Sequence, residues 1–425
     1  MGDDYMSLSK TTDRYKWVVW GTLALAFFIV FFHRYSTAVV SDDLARDLAL
    51  SGTELSNLAS MYFYAYAFMQ VPSGILADYL GPRRTCSIGM LLAAAGSVLF
   101  ATAGSLGMAY SGRLLVGLGV SVVFVSLLKT QAVWFKPREF ATISGLTTTV
   151  GNLGGIAATV PLALLVMSLG WRSTFSLIGA ISVLVALLVY LLVRDRPEDM
   201  GLNPQVVLPA EEKIKVLEGL WRVLSTPATW PGVFILAGVM GGINSFSGLW
   251  GIPYLMHVYE MTKPAAANLL LAMTVGVLIG SPLMGYLADK LGRRKPLILL
   301  GAGVYTVIWG IVILVPQGTI NVGLLYLLFF LAGLGGISFF LTFALAKEAN
   351  HPRLSGIAMG VVNTGGFLSA AILNLLIGMM LDANWQGTMV AGAKTYPDFA
   401  YRTALVFYFV SGLAALAVAS RIREN

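Results

Sequence analysis

Arg34, Arg113 and Lys129 each stand inside a long apolar run of this 425-residue chain. A cation in such a run is costly unless it meets protein, water or an anion, so each of the three marks a place where binding chemistry is expected. The Arg34 guanidinium has the planar fork that grips a carboxylate or phosphate through two parallel hydrogen bonds. Its other reading is a pair with nearby Asp42 or Asp43, or a side chain reaching to the surface. The neighbouring His33 has an unperturbed pKa of ~6.5, which burial or a nearby charge readily moves. It is a proton-coupling candidate or a packing residue, because consecutive helix positions point about 100° apart and His33 and Arg34 cannot both face one cavity squarely. Lys129 is a flexible point charge that either holds an anion or reaches the membrane surface. Arg113 opens Arg113-Leu114-Leu115-Val116-Gly117-Leu118-Gly119, whose glycines permit close helix approach, and is expected to lock helices rather than touch substrate.

Neutral side chains can complete an anion site. Tyr62 and Tyr66 share a helix face at i, i+4 and offer two hydroxyls to a ligand. Trp250 opens Trp250-Gly251-Ile252-Pro253-Tyr254, which is expected to break its helix; the indole either lines the pathway or anchors at the membrane boundary. Asn152 and Asn363 each begin an Asn-x-Gly-Gly stretch and either line a cavity or bond a neighbouring helix. Catalytic constellations do not accompany these residues. No glycine loop ends in Lys-Ser/Thr, and His33, His257 and His351 lie far apart without Cys or acidic partners at metal-ligand spacing. No nucleophile and base stand together either, so an enzyme, a metal or a cofactor is not expected. The lack of an Asp or Glu clearly within a span argues against acid-driven export of cations.

The elements that must position these groups are membrane helices. Hydrophobic residues make up 57% of the chain and charged residues 12%, with a mean hydropathy of +0.78, far from soluble globular domains. Runs able to cross a ~30 Å hydrocarbon core fall at 16–39, 55–78, 84–104, 108–134, 142–167, 173–193, 230–257, 265–288, 296–316, 321–346, 354–381 and 400–420. This predicts an all-α integral membrane fold of twelve transmembrane helices. With the N-terminus inside, twenty of the 28 Lys and Arg lie on the cytoplasmic side and five outside, namely Arg46, Arg172, Lys263, Lys394 and Arg402. Both termini are therefore expected in the cytoplasm. The net charge of +7 is a topology signal, and nucleic acid is not an expected partner. The single Cys86 excludes an intramolecular disulfide framework, and the first run lacks a small-residue cleavage site, so it is read as retained.

One loop is written twice. Gly74-Ile75-Leu76-Ala77-Asp78-Tyr79-Leu80-Gly81-Pro82-Arg83-Arg84 returns 211 positions later as Gly285-Tyr286-Leu287-Ala288-Asp289-Lys290-Leu291-Gly292-Arg293-Arg294-Lys295, and the same offset relates Asn152 to Asn363. Two matches at one offset indicate a duplicated membrane unit, the construction that places a site between two rocking halves. Expected boundaries are an N-terminal six-helix bundle over 1–193, a cytoplasmic linker over 194–229 with a short surface helix, and a C-terminal bundle over 230–425. An Asp near a helix C-terminus with arginines just beyond can latch neighbouring helices, so Asp78, Arg83, Arg84, Asp289, Arg293 and Arg294 are gating candidates.

The Gly-x-x-x-Asp-x-x-Gly-x-Arg-Arg pattern at Gly74, Asp78, Gly81, Arg83 and Arg84, and again at Gly285, Asp289, Gly292, Arg294 and Lys295, resembles the major facilitator superfamily. That resemblance covers essentially the whole chain and implies two pseudo-symmetric six-helix bundles. Phe32-His33-Arg34-Tyr35, Tyr66 to Gly74, and Trp134-Phe135 before Pro137-Arg138-Glu139 resemble the anion:cation symporters within it, with the organophosphate carriers as a second likeness. The symporters carry an Asp-Arg pair in the first helix and a Glu in the fourth; this chain keeps Arg34 but has His33 and Val120 at the acidic positions. Sugar-phosphate carriers place a second Arg in the seventh helix, where the offset of 211 gives Asn244 and Ser245. A single arginine leans toward a singly charged carboxylate.

These readings predict a secondary active transporter of the bacterial inner membrane, working as a monomer by alternating access and carrying a small organic anion inward with a proton. Arg34 is expected to anchor the anion, with Tyr62, Tyr66, Lys129, Asn152, Asn244, Trp250 and Asn363 lining the path. The alternatives are an amino acid, nucleoside, siderophore or organophosphate as cargo, or a transporter-like membrane sensor.

Overall fold

The computed structural model describes residues 2–202, 216–316, 318–351, 354–390 and 392–422. Among these described residues eleven helices are long and apolar enough to cross a membrane. The remaining expected span, 55–78, is present as two helices end to end, Gly52–Phe68 and Gln70–Leu80. Pro72 offers no N–H to the carbonyl of Phe68, one turn earlier, and the helix breaks at that point. Numbered one to twelve in chain order, the spans form the two six-helix bundles of an all-α membrane fold.

Proline and glycine shape the helices that surround the seam between the bundles. In the fifth span Pro161 releases the carbonyl of Ala157, separating Pro137–Ala157 from Val160–Leu169. In the seventh, Pro253 releases the carbonyl of Leu249. The break expected at Trp250–Tyr254 is instead a local widening, a π turn over Phe246–Trp250 between Trp230–Ser245 and Gly251–Val258. Phe246 fixes that turn, standing edge-on to Trp309 with ring centroids 4.9 Å apart and to Phe329 at 5.2 Å. Within the linker region a helix spans Val216–Leu224, while the Glu211–Lys215 stretch lies outside the described residues.

The paired diglycines serve close approach. A methyl group on Gly154 would meet the backbone of Phe28 in the first helix, and one on the equivalent Gly365 would meet the backbone and side chain of Val233 in the seventh. Overpacking of this kind typically costs ~1–3 kcal/mol. Gly154→Leu is therefore expected to lower the melting temperature of the purified protein, and an unchanged melting curve would show that the two helices need not touch.

Candidate functional site

Arg34 lies in the first helix at the seam between the bundles and is 7% exposed. Its guanidinium carbon sits 4.3 Å from the ring centre of Phe31, 5.0 Å from Phe367 and 5.5 Å from Tyr66. Phe31 is one turn away on the same helix, whereas Phe367 comes from the eleventh helix of the other bundle. The hydroxyls of Tyr62, Tyr66 and Tyr35 approach the same group. No carboxylate reaches it: among the described residues Arg34 forms no ion pair, and its buried Nε has no hydrogen-bond partner. The expected alternative, a pair with Asp42 or Asp43, is not formed. Asp43 is taken by Lys263 at 2.5 Å and by Arg46 at 3.1 Å.

Around this cation the structure gathers some of the expected residues and turns others elsewhere. Tyr62 donates to the Val30 carbonyl at 3.2 Å, and its ring centre lies 5.7 Å from that of Tyr66. Asn244 accepts from the Tyr35 hydroxyl at 3.2 Å, joining the seventh helix to the first. Asn363 donates to Gln70 at 2.7 Å, again across the seam. Asn152, in contrast, donates to Thr148 in its own helix at 2.9 Å. Trp250 is fully buried and directs its indole N–H to the Asn374 carbonyl at 3.4 Å, within its own bundle. Lys129 is engaged by Asp78 in an ion pair.

His33 points away from the seam into the first bundle. It is fully buried, and neither ring nitrogen has a hydrogen-bond partner. Arg113 lies beside it, donating from Nη2 to the His33 carbonyl at 3.2 Å and standing over Tyr62 at 5.4 Å. This contact ties the fourth helix to the first.

The seam is fastened at the face opposite the two termini. Asp382, at the end of the eleventh helix, accepts from the backbone N–H groups of Gly52 and Thr53 at 3.0 and 2.7 Å and from the Thr53 hydroxyl at 2.7 Å. A carboxylate at the first turn of a helix is held by both its free N–H groups and its dipole. Tyr396 adds a hydroxyl at 2.9 Å and Lys394 an ammonium at 3.3 Å. Burial and the adjacent carboxylate push the Tyr396 hydroxyl up, so it remains a donor to Asp382. Lys263 and Asp43 make the second cross-bundle fastening on this face.

At the terminal face two charged pairs lie within single bundles. Lys16 meets Glu139 at 3.0 Å in the first, and Arg294 meets Glu348 at 2.5 Å in the second. The gating candidates at the end of the second helix reach neighbouring helices through separate contacts. Asp78 takes Lys129, while Arg83 donates through Nε to the Tyr190 carbonyl at 2.7 Å and through its backbone N–H to Asp195 at 2.7 Å. Gly81 makes this possible, since its φ of +81° turns the chain so that Arg83 follows onto the next helix. Arg84, Asp289 and Arg293 are exposed and form no ion pair among the described residues. The Asp78 and Lys129 side chains are 68% and 37% exposed, and such pairs contribute only ~0–1 kcal/mol. Asp78→Lys is therefore expected to leave melting nearly unchanged but slow transport several-fold, with Lys129→Asp restoring the rate in the double variant; failure of that rescue would remove the pair from gating.

Sequence reasoning missed the aromatic frame, the Asp382 fastening and the half-buried His257, whose Nδ1 lies 2.8 Å from the Tyr401 hydroxyl. Phe31 was recoverable, being three positions from Arg34 on one helix. Nothing in the sequence points to Phe367 or to the meeting of Asp382 with Thr53.

The model of the Major Facilitator Superfamily matches residues 23–252 and again 242–423. The probable sulfoacetate transporter SauU of Cupriavidus necator is 25% identical over 386 residues, covering 86% of this chain and 87% of that protein. The membrane sensor protein UhpC of Escherichia coli is 24% identical over 404 residues, covering 87% of each. Among solved structures, a bacterial homolog of the human lysosomal transporter Spinster, inward-facing and unoccupied, superposes with a TM-score of 0.76 at 18% identity, over 96% of this chain and 97% of that one.

Proposed function

Because the chain belongs to the Major Facilitator Superfamily and is a membrane transporter rather than an enzyme, we propose that it carries a small organic anion by alternating access, inward and with a proton. One observation carries this reading: Arg34 is a buried cation at the seam with aromatic and hydroxyl neighbours and no carboxylate. Its lone positive charge suits one carboxylate or a similar singly charged group. Similarity to a probable sulfoacetate transporter supports an organic anion as cargo. With the terminal face assigned to the cytoplasm by its Lys and Arg excess, the fastened far face is the outer one. An anion entering alone against an inside-negative potential works uphill by ~2.3 kcal/mol per 100 mV, and a co-transported proton removes that penalty. We assign His33 to packing beside Arg113, because a second cation there has no carboxylate among the described residues to offset it.

The test is proton flux in proteoliposomes on adding mono- and dicarboxylates, sulfonates, sugar acids, organophosphates, amino acids and nucleosides. Proton entry with an acid, abolished when its carboxylate is esterified, supports the proposal; flux driven by neutral nucleosides overturns it. The likeness to a membrane sensor protein favours a second reading. Thermal stabilisation by an anion with no flux of either anion or proton would replace transport with sensing.

A further inference from the structure

At the far face a cleft of about 410 Å³ opens between the end of the fifth helix, the start of the sixth, the segment after the first helix and the start of the eighth. It joins both bundles and lies away from the Arg34 cradle. Three of its lining residues are cations, Arg46, Arg172 and Lys263, and two are carboxylates, Asp43 and Asp47. The carboxylates are already in use: Lys263 and Arg46 pair with Asp43, and Asp47 takes Arg46 at 3.5 Å and the Trp171 indole N–H at 2.9 Å. Arg172 is the cation left over. It stands 4.2 Å over the Trp171 ring, forms no ion pair among the described residues, and its buried Nη1 has no hydrogen-bond partner. An orphaned guanidinium N–H in a half-enclosed site is expensive unless a ligand supplies the acceptor. The cleft thus lacks one negative charge and one oxygen acceptor.

The rim says which ligand supplies them. Met167 and Leu169 line the cleft and are 65% and 50% exposed, on the last turns of a membrane span. A ligand that fits both features has an oxyanion of single charge at the membrane boundary and hydrocarbon beside it. We propose that this cleft binds the phosphodiester headgroup of an anionic phospholipid, with Arg172 as its principal contact and acyl chains against Met167 and Leu169. Because Lys263 belongs to the second bundle and Arg172 to the first, the bound lipid fastens the two bundles together at this face.

The experiment uses the full chain purified in a neutral detergent. Phosphatidylglycerol is expected to raise the melting temperature by ~2–4 °C in the wild type and in Arg172→Lys, but not in Arg172→Gln, while phosphatidylcholine of matched chains has no effect. Equal stabilisation by phosphatidylcholine, or an undiminished response in Arg172→Gln, overturns the proposal. Equal stabilisation by water-soluble glycerol phosphate also overturns it, since the ligand would then be a free oxyanion. Should Arg172→Gln fail to purify, native mass spectrometry of Met167→Asp decides: this exposed change sets a carboxylate on the rim and is expected to remove the phosphatidylglycerol retained by the wild type, and unchanged retention rejects the site.

Discussion

Arg34→Ala is expected to reduce anion transport at least a hundredfold while leaving the protein as stable as before or more so. The first half follows from the loss of the one charged group on the cradle. Removing a buried partner of a hydrogen-bonded charge pair typically costs ~2–5 kcal/mol, and ~3 kcal/mol corresponds to about two decades in affinity. The second half follows from what Arg34 lacks. It is a desolvated cation without a carboxylate, so the empty protein gains little from it, and stability is commonly given up where a binding group must wait for its ligand. A residue that served packing alone would show the opposite pattern, with a lowered melting temperature and transport falling only as far as the folded fraction falls. Arg34→Lys is expected to retain charge but lose the two-pronged grip, leaving weak transport with a raised KM. Flux and melting curves measured on the same preparations separate these outcomes.

The Asp382 fastening gives the second large effect. Its carboxylate accepts two backbone N–H groups and one hydroxyl at the start of the second helix, and hydrogen bonds to charged groups contribute ~1.5–3 kcal/mol each. Those contacts cross from one bundle to the other, so opening the far face breaks them all. Asp382→Ala is expected to shift the balance toward the state open at that face by ~3 kcal/mol, about a hundredfold. Ser60 provides the reporter: it is fully buried and donates to the Ala371 carbonyl across the seam at 3.0 Å. The only native cysteine, Cys86, is buried as well, which keeps background labelling low. A cysteine placed at position 60 should react with maleimide at least tenfold faster in the Asp382→Ala background. Equal labelling rates would mean that Asp382 merely caps a helix.

What could be read from the sequence followed from how local the signal was. Arg34 was legible because a charge inside an apolar run stands out without any knowledge of its neighbours, and Gly154 with Gly365 because the repeat offset marked both. The split of the second helix was visible in principle through Pro72, but hydropathy alone drew one continuous span. Phe367 and Asp382 were not legible, since each acts by meeting a residue of the other bundle, and one sequence carries no pairing information at that separation. Lys129 shows a further kind of miss. It and Asp78 were both marked, with different roles, and only the fold reveals that they belong to one ion pair. Trp250 was noticed for the right reason, a helix disrupted by Pro253, yet the disruption widened the helix instead of opening the pathway.

That π turn over Phe246–Trp250 alters how the two halves correspond. A π turn holds one residue more than an α turn, while the first helix runs through its matching stretch as unbroken α-helix from Gly2 to Val39. The offset itself survives the turn, since Gly52 and Lys263, which begin the second and eighth helices, are again 211 positions apart. The first half ends its helix at Val39 and resumes at Ser41, whereas the seventh helix runs on through the π turn to Val258. The same junction is thus a helix break in one half and a widened turn in the other.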